Sequence, residues 1–171
     1  MEVRVARPTE LADAGALTVA GYEADGHLRR PDGTFDDRYA AWLTDAPGRS
    51  AAGSTILVAV DPDGVGGLLG AVTWCPPGSP HRELATGAHQ GEFRSLSVAP
   101  TARRRGVARA LVTDCLQRAR DLGLTEMVLS SLVEMTPAHK LYASLGFVRR
   151  PELDWSPVPE VHLWAFSLTL P

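Results

Sequence analysis

The chain has 171 residues, of which 44% are hydrophobic and 22% charged, a composition typical of a compact globular domain with a core of its own. Its 17 basic and 20 acidic residues give a net charge of −3, which argues against a domain that covers nucleic acid. No run of about 18 apolar residues occurs, and the first ten residues carry charges where a signal peptide is apolar. We therefore expect one cytoplasmic domain, residues 1–171, without a membrane partner.

The first part of the chain predicts a strand followed by two helices. Residues Glu2–Ala6 alternate between polar and apolar side chains, which indicates a strand. A Pro-Thr-Glu start precedes the helical pattern Leu11–Glu23. Further on, Phe35, Tyr39 and Trp42 are spaced by four and three residues, so they share one face of a second helix.

A hairpin and a long loop follow. The apolar segments Ile56–Val60 and Leu68–Trp74 flank the turn sequence Asp61–Gly64, which predicts an antiparallel pair of strands. The next segment, Pro76–Gly91, is rich in Pro, Gly and His. A loop of about fifteen residues is long for a compact domain, so we expect it to be functional or mobile.

The second half alternates between strands and helices. Strands separated by helices, after a hairpin in the first half, indicate a mixed sheet in an α/β or α+β domain. The predicted elements are a strand at Glu92–Val98, a helix from about Arg104 to Leu122, a strand at Glu126–Ser131, a helix from about Pro137 to Leu145, a strand at Phe147 and a strand at Val161–Leu170.

The most informative segment is Leu96–Leu111, where a strand passes through a basic turn into a helix. A helix N-terminus offers unpaired N–H groups and partial positive charge, which suit a pyrophosphate. Gly106 allows the backbone to approach such a group closely. Arg103, Arg104 and Arg105 lie at the unfavourable end of the helix dipole unless an anion binds there, although a solvated basic turn is the alternative explanation.

Two motifs in this half resemble those of the GCN5-related N-acetyltransferase (GNAT) superfamily. The L-x-V-x-P-x-x-R-x-x-G-x-A pattern of Leu96–Ala108 is similar to that family's acetyl-CoA motif, and A-x-x-L-Y-x-x-x-G-F in Ala138–Phe147 is similar to its helix-to-strand motif. The likeness covers Glu92–Val148. It implies an α/β fold with a central mixed sheet of about six to seven strands, about four flanking helices and a splay between two parallel strands.

The resemblance also implies where acetyl-CoA, the acyl donor, binds. The splayed strands correspond to Glu92–Val98 and Glu126–Ser131, and the pantetheine arm is expected to pair with the free backbone groups of the first. The pyrophosphate is expected at the amides that follow. The implied donor-binding residues are Leu96, Ser97, Val98, Arg103, Arg104, Arg105, Gly106, Val107, Ala108 and Arg109.

Acetyl transfer requires a proton donor for the thiolate and a proton acceptor for the amine. The resemblance implies Tyr142 as general acid, with a core aromatic role as the alternative. It implies Glu92 as a water-relayed base, with an exposed strand-end carboxylate as the alternative and Glu134 as a weaker rival. Met135 stands where relatives often carry an asparagine that contacts the cofactor, so that contact is expected to be absent or replaced by Thr136.

The amine acceptor remains open. The resemblance implies a pocket built from Tyr22–Tyr39, Pro76–Gln90 and Arg150–Glu160, and a homodimer is an assembly that this family often adopts. The loop Asp154–Pro159 is expected to be rigid and to close over the acceptor. Acidic residues in these segments indicate either a cleft that attracts a cationic amine or surface charges that only keep the protein in solution. These residues are Asp25, Asp32, Asp36, Asp37, Glu83, Glu152 and Asp154.

Two competing interpretations have less support. A non-catalytic acyl-CoA-binding sensor or scaffold would keep the donor cleft without an acid or base. Nucleic-acid binding through the arginine-rich helix start conflicts with the net charge and with the lack of interleaved aromatics. We expect no metal site, because the spacings of His81, His89, His139 and His162 do not match one, and we expect Cys75 and Cys115 to be free buried thiols.

Overall fold

A computed structural model describes residues 1–63 and 66–171 of the chain. The helices of these residues are α1 (Leu11–Ala24), α2 (Asp37–Thr44), α3 (Ala46–Ala51), α4 (Val107–Asp121) and α5 (Thr136–Ser144). The strands are β1 (Glu2–Val5), β2 (Thr55–Val60), β3 (Leu68–Cys75), β4 (Gln90–Val98), β5 (Glu126–Leu132), β6 (Val148–Arg149), β7 (Trp155–Val158) and β8 (Val161–Thr169).

All of these strands belong to one mixed sheet. Its order is β1-β2-β3-β4-β5-β8-β6, and β7 also pairs with β8. The pairing between β4 and β5 is parallel, whereas every other pairing within the described residues is antiparallel. The right-handed crossover that parallel neighbours require is supplied by α4.

The parallel pair separates after three residues. Gln90, Gly91 and Glu92 pair with residues 126–128, and the register ends there. Residues 93–98 of β4 stay paired with β3 on their other side, and 129–132 of β5 stay paired with β8. The facing edges beyond Glu92 therefore form an open wedge, which confirms the predicted splay.

The core lies on both faces of the sheet. In β2, Leu57 and Ala59 pack in the cluster that contains Leu111 of α4, whereas Ile56 and Val58 pack in the cluster that contains α1 and α3 residues. Alternate residues of a strand point to opposite faces, so a strand buried on both sides is apolar throughout. This explains why the segment lacks the polar-apolar alternation of an exposed strand.

Helix α1 lies unusually close to β4. A Cβ atom on Gly21 would lie 2.1 Å from the Ser97 Oγ atom. The Ser97 hydroxyl donates a hydrogen bond of 3.4 Å to the carbonyl of Thr18 in the same helix. Glycine at position 21 therefore allows the helix to cover the strand that borders the wedge.

Several predicted elements differ from those observed. The helix expected from Arg104 begins at Val107, because Arg104 and Gly106 adopt left-handed conformations that end the preceding turn. The loop expected at Asp154–Pro159 contains β7, which forms a hairpin with β8. Helix α3 was not predicted, since its sequence contains Pro47 and Gly48. The hairpin strands are confirmed, but Gly64 of the predicted turn lies outside the described residues.

Candidate active site

Tyr142 of α5 lies where β4 and β5 part, at the end of the wedge that is here called its mouth. Its ring centroid lies 6.0 Å from that of Phe93, the first β4 residue beyond the parallel pairing, and 5.7 Å from that of Phe166. The side chain is 5% exposed. Burial raises the pKa of the Tyr142 phenol, so the hydroxyl keeps its proton at neutral pH.

The loop before α4 presents backbone amides. Arg104 has φ 63° and Gly106 has φ 79°, and turns of this kind direct successive N–H groups toward one point. The first helical hydrogen bond runs from the Ala110 N–H to the Gly106 carbonyl, so the amides of residues 107–109 precede it. These groups and the helix dipole form an anion-binding concavity.

Most of the arginine side chains here are already engaged. Arg103 forms an ion pair with Asp25 at 2.9 Å, and Arg105 forms one with Asp61 at 2.8 Å. Arg109 donates to the Ser144 hydroxyl at 2.7 Å. Within the described part of the chain, Arg104 has no hydrogen bond or ion pair. The charges of Arg103 and Arg105, which the helix dipole disfavours at this end, are thus balanced by acidic residues of the protein itself.

The side chains of residues 96–98 face the protein. Leu96 and Val98 pack against the larger core cluster, and the Ser97 hydroxyl bonds to α1. Their contribution to the wedge is therefore the backbone edge that faces β5.

Glu92 is the last residue of β4 that pairs with β5, and it is fully buried. Its Oε2 atom accepts hydrogen bonds from the amides of Glu83, Leu84 and Ala85 at 2.9 to 3.0 Å. Its Oε1 atom has no partner in the described structure. Burial raises the pKa of the Glu92 carboxyl, against the opposing effect of the three amides. The residue anchors a loop with one oxygen and leaves the other available.

The loop between β3 and β4 is fixed at several points. The Ser54 hydroxyl lies 2.8 Å from both the Ser79 hydroxyl and His81 Nδ1. Arg94 donates to the carbonyl of His81 at 3.0 Å and forms an ion pair of 2.9 Å with Glu83. The loop is therefore an ordered wall beside the start of the wedge.

An aromatic cluster continues this wall on the side of α1 and α2. Tyr22 and Tyr39 contact edge to face with 5.9 Å between ring centroids, and Tyr39 stacks against Trp42 at 6.0 Å. The guanidinium carbons of Arg94 and Arg49 lie 4.3 Å and 4.5 Å from the centroid of the Trp42 ring. Burial raises the pKa of Tyr22, and the neighbouring Tyr39 and Tyr142 raise it further. Because Arg94 belongs to β4, its contact with Trp42 places the cluster against the strand that borders the wedge.

A β-bulge lies in β4 inside the wedge. Arg94 pairs with Thr73 and Ser97 with Ala71, so Ser95 and Leu96 together stand opposite one residue. Ser95 has φ 55°, a left-handed conformation that is unusual for a residue with a side chain. Its hydroxyl oxygen is buried and has no partner among the described residues.

The structure brings most of the predicted residues together at the wedge. Tyr142 and Glu92 flank its mouth, and Leu96–Val98 and Arg103–Arg109 line its β4 edge and its end. Some of the acids predicted at the acceptor side instead bind neighbouring groups of the protein. Asp36 caps α2, and Asp154 forms an ion pair with Arg149. Sequence reasoning missed Ser95 and the Arg94–Glu83 pair, since no motif or spacing marks a bulge or a long-range ion pair.

No helix in the described ranges has the length and apolar character needed to cross a membrane. No group of three or more His, Cys, Asp and Glu residues in the same ranges is arranged to hold a metal ion. The site consists of backbone amides, carboxyls and hydroxyls.

Comparison with known proteins identifies similar chains. A model described as "Acetyltransferase (GNAT) family" matches residues 21–147. N-acetyltransferase 8B of Rattus norvegicus is 36% identical over 110 residues, which cover 62% of this chain and 46% of that protein. The chain spans about half the length of the first curated relatives it matches.

Solved structures share the whole fold. A GCN5-related N-acetyltransferase from Kribbella flavida is 28% identical with a TM-score of 0.68, over 99% of this chain and 97% of that one. A putative acetyltransferase from Salmonella typhimurium, solved with its cofactor acetyl-CoA, is 20% identical with a TM-score of 0.66, over 100% and 94% of the two chains.

Proposed function

The chain belongs to the acetyltransferase (GNAT) family, and from that premise we propose that it transfers an acetyl group from acetyl-CoA to a primary amine. The observation that carries this proposal is the wedge between β4 and β5, which has an amide-lined loop at one end and a buried phenol at its mouth. Acetyl-CoA supplies the activated acetyl group as a thioester.

The residues of the wedge fit this donor. Residues 93–98 offer an unpaired strand edge to the pantetheine amides. The amides of residues 107–109 and the loop before them offer hydrogen bonds to the pyrophosphate. Arg104 is the cation available for a phosphate oxygen, whereas Arg103 and Arg105 remain bound to Asp25 and Asp61.

Two groups move protons in the proposed reaction. Attack by the amine forms a C–N bond and breaks the C–S bond, and the departing thiolate takes the proton of the Tyr142 hydroxyl. The proton lost by the amine nitrogen passes through water to Oε1 of Glu92. Exchange with solvent then returns a proton to Tyr142 and removes one from Glu92, so the enzyme is restored.

The acceptor is proposed to enter along the aromatic cluster. Glu83 is the carboxylate of the adjoining wall, its side chain is 34% exposed, and it is held in place by Arg94. Burial raises the pKa of the Glu83 carboxyl, while the Arg94 guanidinium lowers it. A partly buried carboxylate in this wall suits an amine that arrives as an ammonium ion. The ammonium loses one proton to solvent before it attacks, and the second proton is the one that passes through water to Glu92.

A thiol-release assay with acetyl-CoA and a panel of amines tests the proposal. The panel includes amino acids, polyamines, aminoglycosides, lysine peptides and peptides with free N-termini. Release of CoA that depends on both the protein and one amine class is the expected result. Binding of acetyl-CoA in calorimetry without turnover on any amine would favour the non-catalytic sensor, and absence of binding would refute the donor site.

A further inference from the structure

Two buried side-chain oxygens in the described residues have no hydrogen-bond partner, and both belong to β4. They are Glu92 Oε1 and Ser95 Oγ, three positions apart at the start of the wedge. Buried hydroxyl groups in folded proteins are almost always satisfied, so an orphan in the candidate site indicates a missing ligand or water. The proposed reaction already uses Glu92.

Ser95 carries a second unusual feature. Its φ of 55° places it in the left-handed region, where a side chain strains the backbone. Strain of this kind persists where the surrounding structure enforces it, and here the β3–β4 register enforces it by placing an extra residue in β4. The bulge changes the direction of the side chain relative to a regular strand.

The position of Ser95 suits contact with the acetyl group. It lies two residues after Phe93, which limits their separation along the chain to about 7 Å, and Phe93 packs against Tyr142. Tyr142 marks the proposed place of the sulfur, and residues 96–98 mark that of the pantetheine arm. In β4, Ser95 therefore lies between the residues that mark these two places.

We propose that the Ser95 hydroxyl donates a hydrogen bond to the acetyl carbonyl oxygen, where negative charge develops as the amine attacks. The proposal rests on the proposed function and adds a side-chain donor to it. The hydroxyl keeps its own proton throughout, so no further proton acceptor is needed. Donors fixed in a buried site before the reaction stabilise such charge strongly.

The test compares Ser95→Ala and Ser95→Gly with the wild type. Both variants lose the hydroxyl, but glycine adopts a left-handed φ without strain and alanine does not. The first measurement is the infrared carbonyl stretch of bound 13C-labelled acetyl-CoA without any acceptor. The second is kcat with the amine that the wild type accepts.

We expect the stretch to move to higher frequency in both variants and kcat to fall about 100-fold in both, with acetyl-CoA affinity changed only a few-fold. Ser167→Ala is the control, because it removes a buried hydroxyl of β8 that accepts a hydrogen bond from Arg150. It should leave the stretch and kcat unchanged.

A wild-type stretch and kcat in Ser95→Ala would overturn the role of the hydroxyl. Recovery of kcat in Ser95→Gly alone would also overturn it, because the backbone conformation would then be the cause. Failure of the wild type to bind acetyl-CoA would refute the proposed function instead. If the wild type binds but no amine reacts, the carbonyl stretch still decides the proposal.

Discussion

At the scale of single residues, burial determines what each ionisable group can do. Tyr142 is enclosed by Phe93, Phe147 and Phe166, which favours the neutral phenol. Glu92 is enclosed by its own strand and the loop it anchors, which favours the neutral acid. The phenol therefore carries its proton near neutral pH, whereas the carboxyl acts as a base only when it is ionised, above its raised pKa.

Tyr142→Phe removes only the phenolic oxygen. We expect kcat to fall about 100-fold, while acetyl-CoA affinity and the unfolding midpoint stay close to those of the wild type, because the ring contacts are kept. Steady-state kinetics, calorimetry and thermal unfolding measure the three quantities. An unchanged kcat would show that the thiolate takes its proton from another group.

Glu92→Gln keeps an oxygen that can accept the amides of residues 83–85 but removes the titrating carboxyl. Because burial raises the Glu92 pKa, the base is lost in the wild type as the pH falls through that raised value, and activity falls with it. We expect the variant to have a lower kcat, by about 10- to 100-fold, and no acid limb in its pH-rate profile. The control Glu134→Gln, on an exposed site, should retain the wild-type limb. A flattened limb in that control alone would assign the base to Glu134.

At the scale of elements, the junction of β4 and α4 matters more than the helix itself. Gly106 is the N-cap of α4 in the left-handed conformation, and nothing lies within 4 Å of the position where its Cβ would be. The open space in front of the loop is the proposed place of the pyrophosphate. Gly123, just after the other end of α4, is also left-handed with open space around it.

These two glycines form a matched pair of sites. Gly106→Glu and Gly123→Glu carry the same backbone penalty of about 1 kcal/mol, so we expect similar losses of stability. At position 106 the new carboxylate also repels the pyrophosphate by about 1–4 kcal/mol, which raises the Kd for acetyl-CoA about 5- to 700-fold. At position 123 the Kd should stay at the wild-type value. Equal Kd values in calorimetry would move the pyrophosphate away from Gly106.

At the scale of the whole molecule, the wedge separates the sheet into two parts. Among the described residues, the strand pairing between the β1–β4 part and the β5–β8 part consists of the three pairs between residues 90–92 and 126–128. A donor in the wedge contacts both parts, so its binding energy stabilises their junction.

Hydrogen exchange with and without acetyl-CoA tests this arrangement. We expect slower exchange at the amides of residues 93–98, 107–109 and 129–132, because the donor covers the two strand edges and the helix N-terminus. A donor at 100 times its Kd adds about 2.7 kcal/mol to the global free energy of unfolding, which slows exchange throughout the protein. Direct protection by the donor is therefore the part of the slowing that exceeds the slowing in β1 and β2. Protection confined to β1 and β2 would exclude the wedge as the donor site.

Much of this protein was predictable from local patterns. The strand-turn-helix segment Leu96–Leu111 and the motif Ala138–Phe147 predict the family, and the family model confirms it. The hairpin and the mixed sheet follow from apolar runs separated by turn residues. Helix α3 was not predicted because Pro47 and Gly48 are typical of turns. The Asp45 cap and the packing of the helix stabilise it nonetheless.

The sequence by itself determined most of the strands and helices, the basic glycine turn and the two motifs of the family, because these depend on neighbouring residues. Only the tertiary structure decided which arginines are bound to Asp25 and Asp61, where the parallel strands part, and that Ser95 occupies a bulge. Those features depend on the register between distant segments, and a local pattern carries no information about register.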